Sequence, residues 1–385
     1  MNTKPTEMPV YRVAGKSILR SFQNSKKRHL LITGSRGIGK STLLKEILSC
    51  LGFSRDFPGF FTHAVPKTRV EIQDSFSKKS GIIGTFSSSQ MEPCLDGFLE
   101  IGIPAVLHAA SISIEEAPFA VIDEIGYLEM SCQPFLDALI SLFDARPVIA
   151  VIRKQSLPFL DSLKARPDVL VIDLDRPVVP IGCVIMASGL GKRFGSDKLM
   201  TSFQGKPLIS QILQTTDSSL FAARIVVTRS KAVQDFCESS GISVLFHEFP
   251  DRNDTVRLGL GTLLEAHPDL QGCIFVLSDQ PLLSHETLET MALSFSAEAE
   301  SHEKKEQAIF RLFFQNEIGS PVLFPNQFFS ELLHLPKGKG GSFILKNHPE
   351  SVRLISAGNS WELMDIDTPE DLKLLLDYIR IHPAD

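Results

Sequence analysis

A chain of 385 residues exceeds what one hydrophobic core usually organises, so two domains are expected. With 43% hydrophobic and 22% charged residues, the composition is that of a globular protein and not of a disordered or fibrous one. A formal net charge of −6 excludes a general nucleic-acid or membrane-surface binder, and no apolar run approaches the roughly 20 residues needed to cross a bilayer.

The opening stretch Met1–Pro9 lacks the basic-then-apolar pattern of a secretory leader. Cys50, Cys94, Cys132, Cys183, Cys237 and Cys273 form no C-x-x-C pair. The expected setting is therefore cytoplasmic, with the cysteines serving as small buried hydrophobes. Residues 1–27 read as an N-terminal extension. The first strand is expected at Leu30–Thr33 and the first helix at Ser41–Leu51. Lys67–Gln90 is polar and rich in Ser and Lys, which predicts strands joined by a long loop. Further strands follow at Phe119–Asp123, Val148–Ile152 and Val169–Asp173, with helices at Pro134–Asp144 and Pro158–Ala165 between them. This alternation predicts a parallel α/β sheet. The stretch Asp175-Arg-Pro-Val-Val-Pro180 suits neither a helix nor a central strand. It separates a first domain over 28–177 from a second over 181–380.

The second domain opens on a strand at Ile181–Met186, with more at Arg224–Thr228, Val244–Phe246 and Cys273–Leu277. The charged stretch Ala297–Gln307 reads as a solvated helix end or loop. Ile309–Gln315 and Pro321–Phe324, separated by Asn-Glu-Ile-Gly-Ser, read as a hairpin. In Thr368-Pro-Glu-Asp371 the last helix has an N-cap, a first-turn proline and two acids that suit its dipole.

Two glycine-rich loops follow buried strands. The first, Gly34-Ser35-Arg36-Gly37-Ile38-Gly39-Lys40-Ser41-Thr42, has the P-loop spacing between a strand and a helix. Its glycines let backbone N–H groups turn toward a β phosphate. Lys40 is expected to bridge β and γ phosphates and Ser41 to ligate Mg²⁺. The run Phe119-Ala-Val-Ile-Asp123-Glu124 supplies the acids such a site needs. Asp123 is expected to hold the metal's water shell and Glu124 to orient or deprotonate an attacking water, against plainer roles as a helix cap and a surface acid. These motifs, with Pro58-Gly-Phe-Phe-Thr62, Asp123-Glu-Ile-Gly-Tyr-Leu-Glu129 and Pro147-Val-Ile-Ala-Val-Ile-Arg153, resemble a small family of P-loop nucleoside-triphosphatases first described from thermophiles. The resemblance covers about 28–178 and implies slow hydrolysis of ATP, GTP and other nucleoside triphosphates. Its basic segment is represented only by Lys67-Thr-Arg69, which makes Arg69 the candidate catalytic arginine. Hydrolysis, switching and a regulatory nucleotide site are all compatible with the motif.

The second loop, Ala187-Ser188-Gly189-Leu190-Gly191-Lys-Arg193-Phe-Gly-Ser-Asp-Lys198, lacks the Gly-Lys-Ser of the first. Its glycines allow close backbone approach, and Arg193 and Lys198 bring charge suited to a triphosphate attacked at its α phosphorus. A dinucleotide-binding loop would lack basic residues within it and would be followed by an acid after a second strand. With Asn253-Asp-Thr-Val-Arg-Leu-Gly259, Ser278-Asp-Gln-Pro-Leu282, Gly319-Ser-Pro321 and Asp365-Ile-Asp-Thr-Pro-Glu-Asp371, it resembles MobA-like nucleotidyltransferases over about 181–380, and within them molybdenum cofactor cytidylyltransferases. Ala187-Ser188-Gly189 stands where guanylyl-transferring relatives carry paired glycines, which favours CTP.

The resemblance implies catalysis by Arg193, Lys198 and Asp279, with Mg²⁺ on Asp279 and Asp367. Thr255 and Arg257 would touch nucleotide or acceptor, against a surface-helix role for both. Asp367 has a plainer role beside a helix cap. Pro336-Lys-Gly-Lys-Gly-Gly-Ser342 replaces a family Gly-Asp, and its lysines suit an anionic acceptor. The fold expected is two three-layer α/β/α domains, a P-loop NTPase fold and then a Rossmann-like nucleotidyltransferase of the glycosyltransferase-A-like type. The function expected is bifunctional, with molybdopterin as acceptor and a molybdenum hydroxylase as possible recipient. A sugar- or polyol-phosphate nucleotidyltransferase and a nucleotide-gated cofactor chaperone or insertase are the alternatives.

Overall fold

Apolar runs bounded by glycine and proline become the central strands of two separate sheets in the computed structural model, which describes residues 12–52, 57–87, 90–189, 194, 197–299 and 307–382. The chain divides into two compact units, one over Arg12–Pro177 and the other from Val178 onward.

The first unit runs α1 (Gly15–Ser25), β1 (His29–Thr33), α2 (Lys40–Cys50), β2 (Gly59–Val65), β3 (Arg69–Asp74), β4 (Ser80–Ser87) and β5 (Gln90–Pro93). Then α3 (Leu95–Gly97) continues through a π-helical turn into α4 (Ile103–Ser111). It closes with β6 (Ala120–Ile125), α5 (Gln133–Ala145), β7 (Val148–Ile152), α6 (Pro158–Lys164) and β8 (Val169–Asp173). The strand order is β5-β4-β3-β2-β6-β7-β1-β8. From β2 to β8 every pair is parallel, while β2 to β5 form an antiparallel wing. Every residue of β1 and β7 is buried, as unbroken apolar runs in a covered parallel sheet should be.

Two expectations change here. The stretch 1–27 is not all extension, because α1 buries Ile18, Leu19 and Phe22 and belongs to this unit. Among the described residues of Lys67–Gln90 there is no long loop between β3 and β4: they pair directly, and the Asp74 carboxylate accepts the Phe76 and Ser77 N–H groups in the turn. The Ser and Lys residues that suggested a loop are concentrated in this short turn, Ser75 to Lys79, while β3 itself adds polar Arg69, Glu71 and Gln73 on its half-buried face.

The second unit runs β9 (Ile181–Ala187), a small hairpin of β10 (Ser202–Phe203) and β11 (Lys206–Pro207), α7 (Ile209–Thr215), β12 (Ala223–Thr228), α8 (Lys231–Ser239) and β13 (Val244–Phe246). It continues through α9 (Arg252–Ala266), β14 (Gly272–Leu277), α10 (His285–Ala299), β15 (Ile309–Phe314), β16 (Glu317–Pro325), α11 (Phe329–Leu333), α12 (Ser342–Asn347), β17 (Val352–Ser356) and α13 (Pro369–Ile381). Its order is β13-β12-β9-β14-β16-β15-β17, parallel through β14, with β16 antiparallel to both of its neighbours. The hairpin is tighter than expected, turning at Gln315 and Asn316, and β16 starts at Glu317. Apolar clusters fill both faces of the sheet.

Successive strands run outward from β9 on one side, while β14 lies on its other side. The carboxyl ends of β9 and β14 therefore flank a topological switch point, where open α/β sheets bind ligands. Helix α9 lies close on this sheet because Gly259 has no side chain. A Cβ there would meet Val184 Cγ1 at 2.7 Å and Val227 Cγ2 at 2.9 Å. The first turn of α9, carrying Thr255, is thereby held against the end of the sheet. As expected, α13 begins with a capping box between Thr368 and Asp371.

Candidate active sites in the two units

In the first unit β1 runs into a loop where Gly34, Gly37 and Gly39 have φ of 148°, 83° and 102°. Side chains rarely adopt the last two, and glycine lets the loop curl back before α2 begins at Lys40. Lys40 Nζ donates to the Gly34 and Ser35 carbonyls at 2.8 and 2.9 Å, across the mouth of the loop. Ser41 Oγ donates to Asp123 Oδ1 at 2.9 Å, so the residues expected to share a metal are already joined. Burial raises the Asp123 pKa and the Ser41 hydrogen bond opposes that rise.

The register of β6 against β7 shifts between Ile122 and Ile125, and within it Glu124 adopts φ of 74°. A non-glycine residue in the left-handed region is sparsely populated and tends to occur at functional sites. The Arg153 guanidinium donates to the Glu124 carboxylate and lies 5.1 Å from the Tyr127 ring centre. A cleft of about 1090 Å³ is lined by the loop residues, including Arg36 and Thr42, and by Lys67, Glu124, Tyr127, Arg153 and Lys154. Arg69 does not line it and pairs with Glu71 at 2.5 Å. Ile38 packs beneath Gly34 and is not part of the lining. Of Arg69 and Arg153, Arg153 is therefore the arginine that lines this cleft. Its sequence signal was an arginine directly after the apolar run of β7.

The second site lies at the switch point. Lys198 donates to Asp279 Oδ2 at 2.6 Å, to the Ile366 carbonyl at 2.9 Å and to Asp367 Oδ1 at 3.1 Å. Burial works against its charge, but Asp279 and Asp367 outweigh that and raise its pKa. The buried Ile366 packs with Phe203, Leu208 and Leu375, and its N–H donates to the Asp279 carbonyl at 2.9 Å. That anchor sets Asp365 and Asp367 on either side of it. Burial and the Asp279 charge raise the Asp365 pKa to about 6.

No group of three metal-ligating side chains occurs among the described residues. Two carboxylates converging on one cation are nonetheless what Mg²⁺ uses when substrate phosphates complete its shell, so Asp279 and Asp367 fit that ion. In the first unit one hydroxyl and one carboxylate, Ser41 and Asp123, are the oxygen donors that fit it.

A cleft of about 790 Å³ covers these groups. Ser188, Gly189, Arg229, Arg252 and Thr255 line it on the side of β9 and α9, and Arg311, Ser320, Val322, Gly340 and Gly341 on the side of β15 and β16. Ser188 Oγ meets the Val227 carbonyl at 3.1 Å and His247 Nε2 at 3.0 Å, while Thr255 Oγ1 lies 3.4 Å from the same nitrogen. The buried His247 therefore ties together two residues expected to touch nucleotide, and no sequence motif announced it. Arg257 is not in the lining and pairs with Asp254 at 3.2 Å. Gly340 and Gly341 of the 336–342 loop line the cleft, whereas Lys337, Gly338 and Lys339 are exposed. Ala187 ends β9 as a buried residue, and Leu190, Gly191 and Arg193 lie outside the described residues.

Residues 29–177 match the family described as NTPase, and residues 183–352 match the MobA-like NTP transferase domain. The nucleoside-triphosphatase THEP1 of Thermotoga petrophila is 30% identical over 152 residues, 38% of this chain and 83% of that protein. The chain joins a THEP1-like NTPase domain to a MobA-like NTP transferase domain. A probable molybdenum cofactor guanylyltransferase of Aquifex aeolicus is 33% identical over 107 residues, 28% of this chain and about half (49%) of that protein. A nucleotidyl transferase structure from Methanothermobacter thermautotroptrophicus is 19% identical and covers 52% of this chain and 98% of that one, with a TM-score of 0.42. The P-loop unit is thus the NTPase domain and the switch-point unit the transferase domain. Among the described residues, no helix is long and apolar enough to cross a membrane.

Proposed function

We propose that the transferase domain moves a nucleotidyl group, CMP from CTP, onto the terminal phosphate of molybdopterin. A phosphate oxygen of the acceptor forms the new bond to the α phosphorus. The bond to the bridging oxygen breaks, and pyrophosphate leaves with that electron pair. Both phosphates react as anions, so no proton need move. The observation that carries this reading is the convergence of Lys198, Asp279 and Asp367 beneath a cleft with one wall from β9 and α9 and another from β15 and β16. Lys198 neutralises charge at the α phosphate while Asp279 and Asp367 hold Mg²⁺, which when bound offsets charge on the phosphates. Arg193 contributes charge from the glycine-rich loop. Ser188, with Thr255 beside it, meets the base, and the serine in place of a second glycine favours cytosine. The relative named as a guanylyltransferase supports a molybdenum cofactor acceptor and makes GTP the rival donor. A molybdenum hydroxylase is the recipient this chemistry suggests.

In the NTPase domain, Lys40 steadies the β and γ phosphates of ATP or GTP, and Ser41 and Asp123 hold Mg²⁺. Glu124 orients the attacking water once phosphate draws Arg153 away from it, which makes Arg153 the arginine that meets developing charge. The deciding experiment measures pyrophosphate release with each nucleoside triphosphate, with and without molybdopterin. Release only with CTP plus molybdopterin supports the reading. Turnover with a sugar or polyol phosphate replaces the acceptor, and no turnover with any acceptor favours a chaperone or insertase.

A further inference from the structure

Strand β15, Ile309-Phe-Arg-Leu-Phe-Phe314, carries one charged residue in an otherwise apolar run. Arg311 stands opposite Val322 of β16, and Val322 stands opposite Phe275 of β14. Phe275, Val322 and Arg311 thus form a row across one face of the sheet, and all three line the transferase cleft. Four residues beyond Phe275 the chain reaches Asp279. Adjacent strands lie about 4.8 Å apart, so the Arg311 backbone is about 10 Å from that of Phe275, a span a long side chain can largely bridge. Directly after Arg311 the register of β15 against β16 shifts, an irregularity that re-aims side chains beside sites.

The state of the guanidinium is unusual. Its Nε donates to the Gly319 carbonyl at 3.1 Å, and among the described residues no carboxylate lies within ion-pair distance of it. Burial alone lowers the pKa of Arg311 and of Arg146. Arg146 gives its terminal nitrogens to the Ala109, Ile112 and Ala117 carbonyls. For those of Arg311, no hydrogen bond to a described residue is formed. A half-buried cation without a counter-ion is costly unless an anion arrives. Arg311 also lines a neighbouring cleft of about 380 Å³ with Gln280, Glu317 and Asp365, so it stands where two cavities meet.

We propose that Arg311 is a substrate-binding residue that grips the phosphate of the acceptor, opposite the nucleotide, and so selects phosphomonoester acceptors. This rests on the transferase reading but not on molybdopterin as the acceptor. The planar fork of arginine suits two phosphate oxygens at once.

Two measurements on the full chain test it. In kinetics over a panel of phosphomonoesters that includes molybdopterin, Arg311→Met raises the acceptor KM at least 10-fold and leaves the nucleotide KM within 2-fold. Arg311→Lys falls between, and both variants keep the parent melting temperature. A shift in the nucleotide KM without one in the acceptor KM overturns the proposal. In the second measurement, phenylglyoxal labelling is mapped by peptide with inorganic phosphate as the probe. Phosphate slows modification of Arg311 but not of the exposed Arg353 on β17, whereas equal slowing, or none at Arg311, overturns the proposal. If molybdopterin is inert and another phosphomonoester reacts through Arg311, the molybdopterin reading fails while this one stands. If no acceptor turns over, the labelling decides.

Discussion

With 7% of its side chain exposed, Lys198 has left water for a position between Asp279 and Asp367. The two carboxylates compensate its desolvation, and it keeps them from repelling each other. Removing one partner of such a group strands the others, which typically costs about 3 kcal/mol or more. Lys198→Met is therefore expected to lose nucleotidyl transfer by at least ~10²-fold and to lower the stability of the transferase unit as well. Asp279→Asn removes charge but keeps shape, so it should lose transfer with a smaller thermal shift. Pyrophosphate release and thermal melts separate the two, and equal activity losses with no stability difference would contradict this account of Lys198. Ser188 offers a second residue-scale prediction. Its hydroxyl fills space beside His247 and Thr255, and Ser188→Gly should raise the ratio of kcat/KM for GTP over CTP by roughly 10-fold, about 1.4 kcal/mol. An unchanged ratio would remove Ser188 from base selection.

At the scale of elements, β1 shows how a buried strand becomes sensitive to acid. His29, the first residue of β1, is fully buried, and its Nδ1 accepts the Val148 N–H at 3.2 Å. The proton therefore sits on Nε2, which faces Asp168 Oδ2 at 3.2 Å. Burial lowers the pKa to about 4 although the Asp168 charge pulls the other way. In the unfolded chain this group takes up a proton below about 6.5. Between those values the unfolded chain binds more protons, so stability is lost as pH falls from about 6.5 toward 4. At pH 5 the loss is about 2 kcal/mol. Amide exchange in β1 and β7 should accelerate accordingly from pH 7 to pH 5, after correction for intrinsic rates. His29→Phe loses the Val148 acceptor at every pH, so it should be weaker throughout with a flatter pH dependence. A parallel dependence in the variant would place the acid sensitivity elsewhere.

Elements of this kind were legible in the sequence because burial on both faces writes an unbroken apolar run, as in β1, β7 and β9. The antiparallel wing was harder, since half-exposed strands such as β3 carry as many polar residues as a loop. Motif residues joined by local geometry, Lys40 with Ser41 above all, could be read directly. His247 and Arg311 could not, because each gains its place from pairings between distant strands, while Arg153 and Asp365 stood in sequence motifs whose place in the sites depends on the fold or on an anchor such as Ile366.

For the whole molecule, two units with separate cores and separate nucleotide sites imply two separable responses to nucleotide. The chain has a single tryptophan, Trp361, which lies in the transferase unit and stacks on Tyr378 at 4.0 Å. Its fluorescence therefore reports unfolding of that unit. A ligand that binds only the folded state stabilises it by about 2.7 kcal/mol at 100 times its Kd. The NTPase-type site is expected to accept any nucleoside triphosphate, because a P-loop grips phosphates and not the base. On the proposed function, the transferase cleft also reads the base, through the walls that carry Ser188 and Thr255. CTP with Mg²⁺ should then raise the Trp361 melting midpoint, and ATP should not. Calorimetry should show a first-unit transition that responds to both nucleotides and loses both responses in Lys40→Ala. A Trp361 midpoint that rises equally with ATP would mean either that the transferase cleft does not select its base or that occupancy of the P-loop is felt in the second unit. Lys40→Ala separates these, because it abolishes the ATP effect on Trp361 only if that effect begins at the P-loop.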